Sequence, residues 1–213
     1  MHVTPDFPDA VQRGALHRGS GMTKLLYAVL AAAAVFAATG AYALDAEKVA
    51  PCLACHGANG VSQTEGVPSL AAQPDQYTQW QLVFFRLENR KSEIMGPLAK
   101  DLNDEDIRAF GAYFAALPPP PALPPPDPRP ELSAAGKPLA EEHHCNNCHT
   151  ASFAGQQATA RLAGQREEVL RKALEDYRSG ARRGTGIAAM PEAVYGLSDD
   201  DFGALAHYLS RLP

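Results

Sequence analysis

Nine of the chain's 18 prolines fall inside thirteen residues, PPPPALPPPDPRP, at 118–130. Proline fixes φ near −65° and brings no amide donor, so this stretch neither continues a helix nor enters a sheet. It predicts an extended, semi-rigid, polyproline-like spacer. The chain on either side must therefore build its own core.

The two flanking segments are related to each other. Leu70-Ala71-Ala72-Gln73 matches Leu162-Ala163-Gly164-Gln165. In the same register Leu82 meets Leu174, Phe85 meets Tyr177, Arg86 meets Arg178 and Arg90 meets Arg182. Counted from Met95 and Met190, Leu102 meets Leu197, Asp104 meets Asp199, Asp106 meets Asp201 and Tyr113 meets Tyr208. The second segment needs three extra residues between the two registers, as a loop insertion provides.

Each half reads as helices. Asn103 and Ser198 are N-cap candidates, and the acidic turns DED and DDD that follow them suit the positive end of a helix dipole. Ile107, Phe110 and Phe114, and then Phe202, Leu205 and Leu209, repeat at helical spacing. A second helix in each half is expected over YTQWQLVFFRLEN (77–89) and EEVLRKALEDYRS (167–179). No alternating strand pattern competes with these, so the fold class is all-α. The aromatic and leucine stripes read as core; Trp80 is expected in the core or lining a cofactor pocket, and His207 as a packing or surface residue.

The chain's beginning has a different character. MTKLLYAVLAAAAVFAATGAYA (22–43) carries one lysine, an apolar run and an Ala-x-Ala exit, the pattern of a secretory signal peptide. Residues 1–21 before Met22 read as an over-called start or a long polar n-region. An uncleaved leader would instead anchor the protein to a membrane, since 25–43 lacks charge over nineteen residues. Expected boundaries are a leader at 1–43, a first domain at 44–117, the Pro-rich linker at 118–130 and a second domain at 131–213. Removing the leader leaves 16 Lys+Arg against 22 Asp+Glu. A mild negative charge without a basic run excludes a nucleic-acid footprint and points to protein partners.

All four cysteines lie in CLACH (52–56) and CNNCH (145–149). Cys-x-x-Cys-His is the attachment signature of c-type haem: Cys52 and Cys55, or Cys145 and Cys148, add across the two porphyrin vinyl groups from one helical turn, and His56 or His149 reaches the iron from the same side. A zinc site would use the thiolates without needing a histidine at the same position twice. A redox dithiol belongs beside a sheet, and disulfides within such short loops contribute little. His143 and His144 have no counterpart before Cys52 and read as bystanders.

With Met1 and Met22 in the leader, Met95 and Met190 remain, one per half, 39 and 41 residues after His56 and His149. Both are candidates for the second axial position, where a thioether raises the reduction potential. A His/Met pair leaves the iron no open position, which suits outer-sphere electron transfer. With every cysteine used in a thioether, a cysteine-ligated catalytic haem is excluded.

CLACHGANG, VPSLAAQ, YTQWQLVFFR and IMGPLAKDLNDEDIRAFGAYFAAL, in this order, resemble the class I c-type cytochromes and among them the di-haem cytochrome c4 type. The resemblance covers 44–213 and implies two tandem class I cytochrome c domains with two covalent haems. It implies an exported, periplasmic electron carrier, not an enzyme, working with a quinol-oxidising complex and a terminal oxidase. It also implies that the Pro68 carbonyl orients His56, and that Tyr113 and Tyr208 pack against the first helix of their halves. The second half departs from the pattern: Thr150 stands for Gly57, and Ala160 for Pro68. Unequal potentials at the two centres are therefore expected. The rival readings are a haem subunit of a dehydrogenase or oxidase complex, and a di-haem peroxidase that would need an open axial site.

Overall fold

The computed structural model describes residues 46–182 and 189–213. The expected leader, 1–43, lies outside the described residues. The first half has α1 (Ala46–His56), α2 (Asp75–Arg86), α3 (Met95–Lys100) and α4 (Asp104–Ala116). The second has α5 (Pro130–Glu142), α6 (Cys145–His149), α7 (Glu167–Ser179), α8 (Ala189–Ala193) and α9 (Asp199–Arg211). Among the described residues there is no strand, only two isolated bridges. None of the described helices is long and apolar enough to cross a membrane.

The caps expected from sequence start the last helix of each half. Asn103 Oδ1 accepts from Asp106 N at 2.8 Å. Ser198 and Asp201 form a reciprocal capping box, with Asp201 N on Ser198 Oγ at 3.1 Å and Ser198 N on Asp201 Oδ2 at 2.8 Å. Each bond satisfies an amide that the helix itself leaves unpaired. Arg86 donates to the Leu102 carbonyl and pairs with Asp104, while Arg178 donates to the Leu197 carbonyl and pairs with Asp199. The same clamp thus ties the second helix to the start of the last one in both repeats.

In the second half, Phe202, Leu205, Ala206 and Leu209 of α9 bury against Leu170 and Tyr177 of α7, Ala140 of α5, and Phe153, Val194 and Leu197. α5 and α9 cross at backbone contact: a Cβ added to Gly136 would lie 2.2 Å from the Ala204 carbonyl oxygen. The first half gathers Val49, Phe110 and Phe114, flanked by Cys52, Leu53, Leu70, Leu82 and Tyr113. Tyr113 meets Phe114 edge-on, and Tyr208 meets Phe153 in the same way. Burying one such phenylalanine is worth about 1.5–3 kcal/mol.

Two expectations need correction. Trp80 is 49% exposed, its ring stacked on Phe84, so it is not part of the core. The proline stretch has neither helix nor strand but is not extended throughout: it bends at 125, 126 and 128 before α5, whose first residue is Pro130, where a missing amide costs nothing. It is not a free spacer, because Pro120 is buried and the Arg211 guanidinium donates to the Pro124 carbonyl at 2.9 Å. Its far end is held by His207, which is 1% exposed. The His207 Nε2 faces Asp127 Oδ1 at 2.9 Å and Nδ1 faces Glu167 Oε2 at 2.9 Å. Ser133 Oγ donates to the other Asp127 oxygen at 2.5 Å, and Arg129 pairs with Glu167.

The halves meet through polar groups. Tyr77 N donates to the Gln157 carbonyl, and Arg90 and Arg182 meet in an antiparallel bridge. Arg90 lies over the Phe85 ring and Arg182 over the Tyr177 ring, both at 4.7 Å. These four residues are pairs already matched by the internal alignment.

Candidate functional site at the two Cys-x-x-Cys-His turns

Each motif occupies the end of a helix and delivers its histidine as the last helical residue. In the first half α1 runs unbroken through Cys52 and Cys55 to His56. In the second half the helix is interrupted: α5 stops at Glu142, His143 closes it, and His144 takes φ +52° before α6 begins at Cys145. His143 and His144 are thus the residues of the interruption. Among the described residues no group of three or more His, Cys, Asp or Glu gathers to hold a bare metal ion.

The four cysteines are free thiols. Cys52 and Cys145 are half-buried, and burial pushes both thiols up from their ordinary value. Cys55 and Cys148 are exposed. One cysteine of each pair therefore borders the apolar core of its half and the other is open to a bound group.

His56 is 5% and His149 7% exposed. His56 Nδ1 lies 2.7 Å from the Pro68 carbonyl oxygen and His149 Nδ1 lies 2.8 Å from that of Ala160. A carbonyl only accepts, so Nδ1 carries the proton in both rings and Nε2 keeps its lone pair for a metal. Burial lowers the pKa of both imidazoles, and the carbonyl partner opposes part of that shift. The bond to His149 survives the loss of the proline because the acceptor is backbone. The residues fit a haem: paired unbridged thiols, and a neutral imidazole oriented by a carbonyl.

The loops that carry these carbonyls are built alike. The carbonyl of Gly60 accepts from Leu70 N and Ala71 N at 2.7 and 3.0 Å; that of Phe153 accepts from Leu162 N and Ala163 N at 2.8 and 3.1 Å. Gly57 and Gly60 have φ +88° and +69°, and Thr150 and Phe153 repeat these bends at +71° and +55°.

Met95 opens α3, half-buried, with its N–H on Ser92 Oγ at 3.0 Å. Met190, in α8, packs on the second-half core, which Cys145 also borders. Met95 is not among the residues packed on the first-half core. Both methionines thus lie on short helices, and Cys145 and Met190 border one cluster.

Reasoning from sequence missed the residues that hold the carbonyl peptides from behind, Gln73 and Gln165. Their signal was available, since both close the matched four-residue stretch, a polar residue repeated after three small or apolar ones.

The Cytochrome c family model matches residues 133–213, which places the second half in a c-type cytochrome. Cytochrome c4 of Thiocapsa roseopersicina is 33% identical over 171 residues, 76% of this chain and 86% of that protein. The thiosulfate dehydrogenase electron acceptor of Thiomonas intermedia is 28% identical, over 90% of this chain and 92% of that protein. The crystal structure of reduced recombinant cytochrome c4 from Pseudomonas stutzeri superimposes with a TM-score of 0.70 at 28% identity, covering 78% of this chain and 96% of the other. The chain belongs to the cytochrome c4 family. It is an all-α electron-transfer protein of two class I cytochrome c domains, a carrier of electrons and not an enzyme, and its family binds haem c covalently.

Proposed function

We propose that the chain carries two haem c groups, one in each half, and passes single electrons between redox proteins of the periplasm. Cys52 and Cys55 hold the first group and Cys145 and Cys148 the second. His56 with Met95, and His149 with Met190, are the axial ligands. When bound, each haem supplies one reversible ferric/ferrous couple. The observation that carries this reading is the duplicated buried histidine, Nδ1 on a backbone carbonyl and Nε2 left for iron, at the end of a helix bearing two free thiols.

The protein's own part is positional. The helix ends fix the thiols and imidazoles, the carbonyls of Pro68 and Ala160 fix the tautomer, and the apolar cores keep water from the ring edges. Domains at 44–117 and 131–213, a linker at 118–130 and a signal peptide at 22–43 complete the reading. The donor is a quinol-oxidising complex and the acceptor a terminal oxidase. A second reading, a haem protein dedicated to a dehydrogenase, is favoured by the Thiomonas intermedia relative, whose match spans 90% of this chain. The test is an optical spectrum of the purified holoprotein together with reduction kinetics. Two six-coordinate low-spin haems with the methionine-to-iron charge-transfer band support the ligand set; a five-coordinate haem contradicts it. Rapid reduction by a thiosulfate-oxidising enzyme, with none by a quinol-oxidising complex, selects the second reading.

A further inference from the structure

The two carbonyls that receive the proximal imidazoles belong to peptide units whose other side is held by the opposite half. In the first half, Pro68 C=O accepts from His56 Nδ1 at 2.7 Å, and the N–H of the same peptide, that of Ser69, donates to Gln165 Oε1 at 2.9 Å. In the second half, Ala160 C=O accepts from His149 Nδ1 at 2.8 Å, and the Arg161 N–H donates to Gln73 Oε1 at 3.0 Å. Each glutamine closes the clamp with its amide nitrogen, Gln165 Nε2 on the Ser69 carbonyl at 2.8 Å and Gln73 Nε2 on the Arg161 carbonyl at 2.9 Å. Ser69, Gln73, Arg161 and Gln165 are all buried, so water does not compete for these bonds.

Such a chain is polar in one sense. An N–H that donates draws charge through the amide onto its own carbonyl oxygen, making that oxygen a better acceptor for the next donor. A better acceptor at Nδ1 makes the imidazole a stronger electron donor through Nε2, which favours the ferric state.

Resting on the axial roles of His56 and His149, we propose that the glutamines are crossed positioning residues: Gln165 tunes the centre held by His56, and Gln73 tunes the centre held by His149. Each half thereby sets the potential of the other through the peptide behind its histidine. Gln165 Oε1 also accepts from Arg166 N at 3.0 Å, whereas Arg161 N is the partner of Gln73 Oε1, so Gln73 is the stronger lever.

The experiment is a redox titration of holoprotein Gln165→Met and Gln73→Met, with each centre assigned by its axial-methionine proton signals. Gln165→Met lowers the ferric-to-ferrous ratio at the His56 centre by about twofold at fixed solution potential and leaves the His149 centre in place. Gln73→Met does the reverse, with a larger change. Shifts confined to the variant's own half, equal shifts at both centres, or no shift would overturn the proposal. If the methionine variants do not assemble, Gln165→Glu and Gln73→Glu keep the acceptor and strengthen it. The ratio then rises more at the opposite centre than at the near one, and an equal rise at both overturns the proposal. Loss of histidine ligation in the unaltered protein's spectrum would remove the reading beneath it, whereas a normal spectrum without the crossed pattern removes this inference alone.

Discussion

Gly57 and Gly60 turn the first loop back after His56, and at the same two bends the second loop has Thr150 and Phe153. The loops nonetheless share the two amide bonds onto the carbonyl of the second bend and aim the same carbonyl at the same ring nitrogen. The difference teaches which part of the repeat is under constraint. In the first loop a side chain at 57 has no room, since a Cβ there would come 2.1 Å from the Val61 carbonyl oxygen. In the second loop the bend is kept at the cost of left-handed backbone in a bulky residue, where L-residues are disfavoured by about 1–2 kcal/mol. Phe153 offsets that cost by placing its ring in the core against Tyr208. Thr150, at φ +71° and ψ 162°, sits in a region that only glycine occupies freely.

The sharpest way to break this comparison is Gly57→Ala. The clash is with backbone at positive φ, so we expect a loss of roughly 2–4 kcal/mol confined to the first half. Haem content by pyridine haemochrome should fall towards one per chain, while the second half keeps its own; full loading with unchanged unfolding would show that the first loop is not constrained as described. Next in size is Phe153→Ala, which keeps the bend and removes the ring. It should cost about 3 kcal/mol in thermal or denaturant unfolding. Gly60→Ala, whose added Cβ meets the movable Leu117 Cδ1 at 2.9 Å and the Ala71 nitrogen at 3.0 Å, should cost less. The reverse order would place the loop, not the ring, in control.

Thr150→Gly should move stability the other way. Relief of the backbone exceeds the added freedom of the unfolded chain, for a net gain of about 0.5–1 kcal/mol, visible as a higher Tm with the ultraviolet and visible spectra unchanged. The smallest effect concerns acid. The Ser133 hydroxyl and the Arg129 N–H hold the Asp127 carboxyl well below the usual carboxylate range, with His207 adding to the effect. A carboxyl depressed in the folded state stabilises at neutral pH, and that contribution fades as pH falls below the unfolded value of about 4. Asp127→Asn should therefore flatten the acid limb of the second half's stability curve and leave the first half's limb alone. An equal change in both halves would mean that this end of the linker is not fastened to the second half alone.

What the sequence made legible was local or repeated. The caps at Asn103 and Ser198 act within one turn, the two helices of each half follow from their spacing, and the paired buried histidines follow from the doubled motif. The contacts that cross the molecule were not legible. Gln73 and Gln165 bond to residues 88 and 96 positions away, and His207 reaches Asp127 and Glu167 across 80 and 40. No periodicity encodes such pairs, because burial brings them together only after the elements that carry them have packed. That Trp80 stays out of the core was readable from its register: counted from the glutamines it matches Lys172, which is exposed on α7 and pairs with Asp176. The position belongs to an outward face in both repeats.

The central claim is that each Cys-x-x-Cys-His turn holds one haem through both of its sulfurs. The intact mass of the purified protein under denaturing conditions tests it most directly. The account predicts the polypeptide plus two haem masses, with no thiol left to react with an alkylating reagent. A mass equal to the bare polypeptide with four alkylatable cysteines, or one haem mass with two, would contradict it.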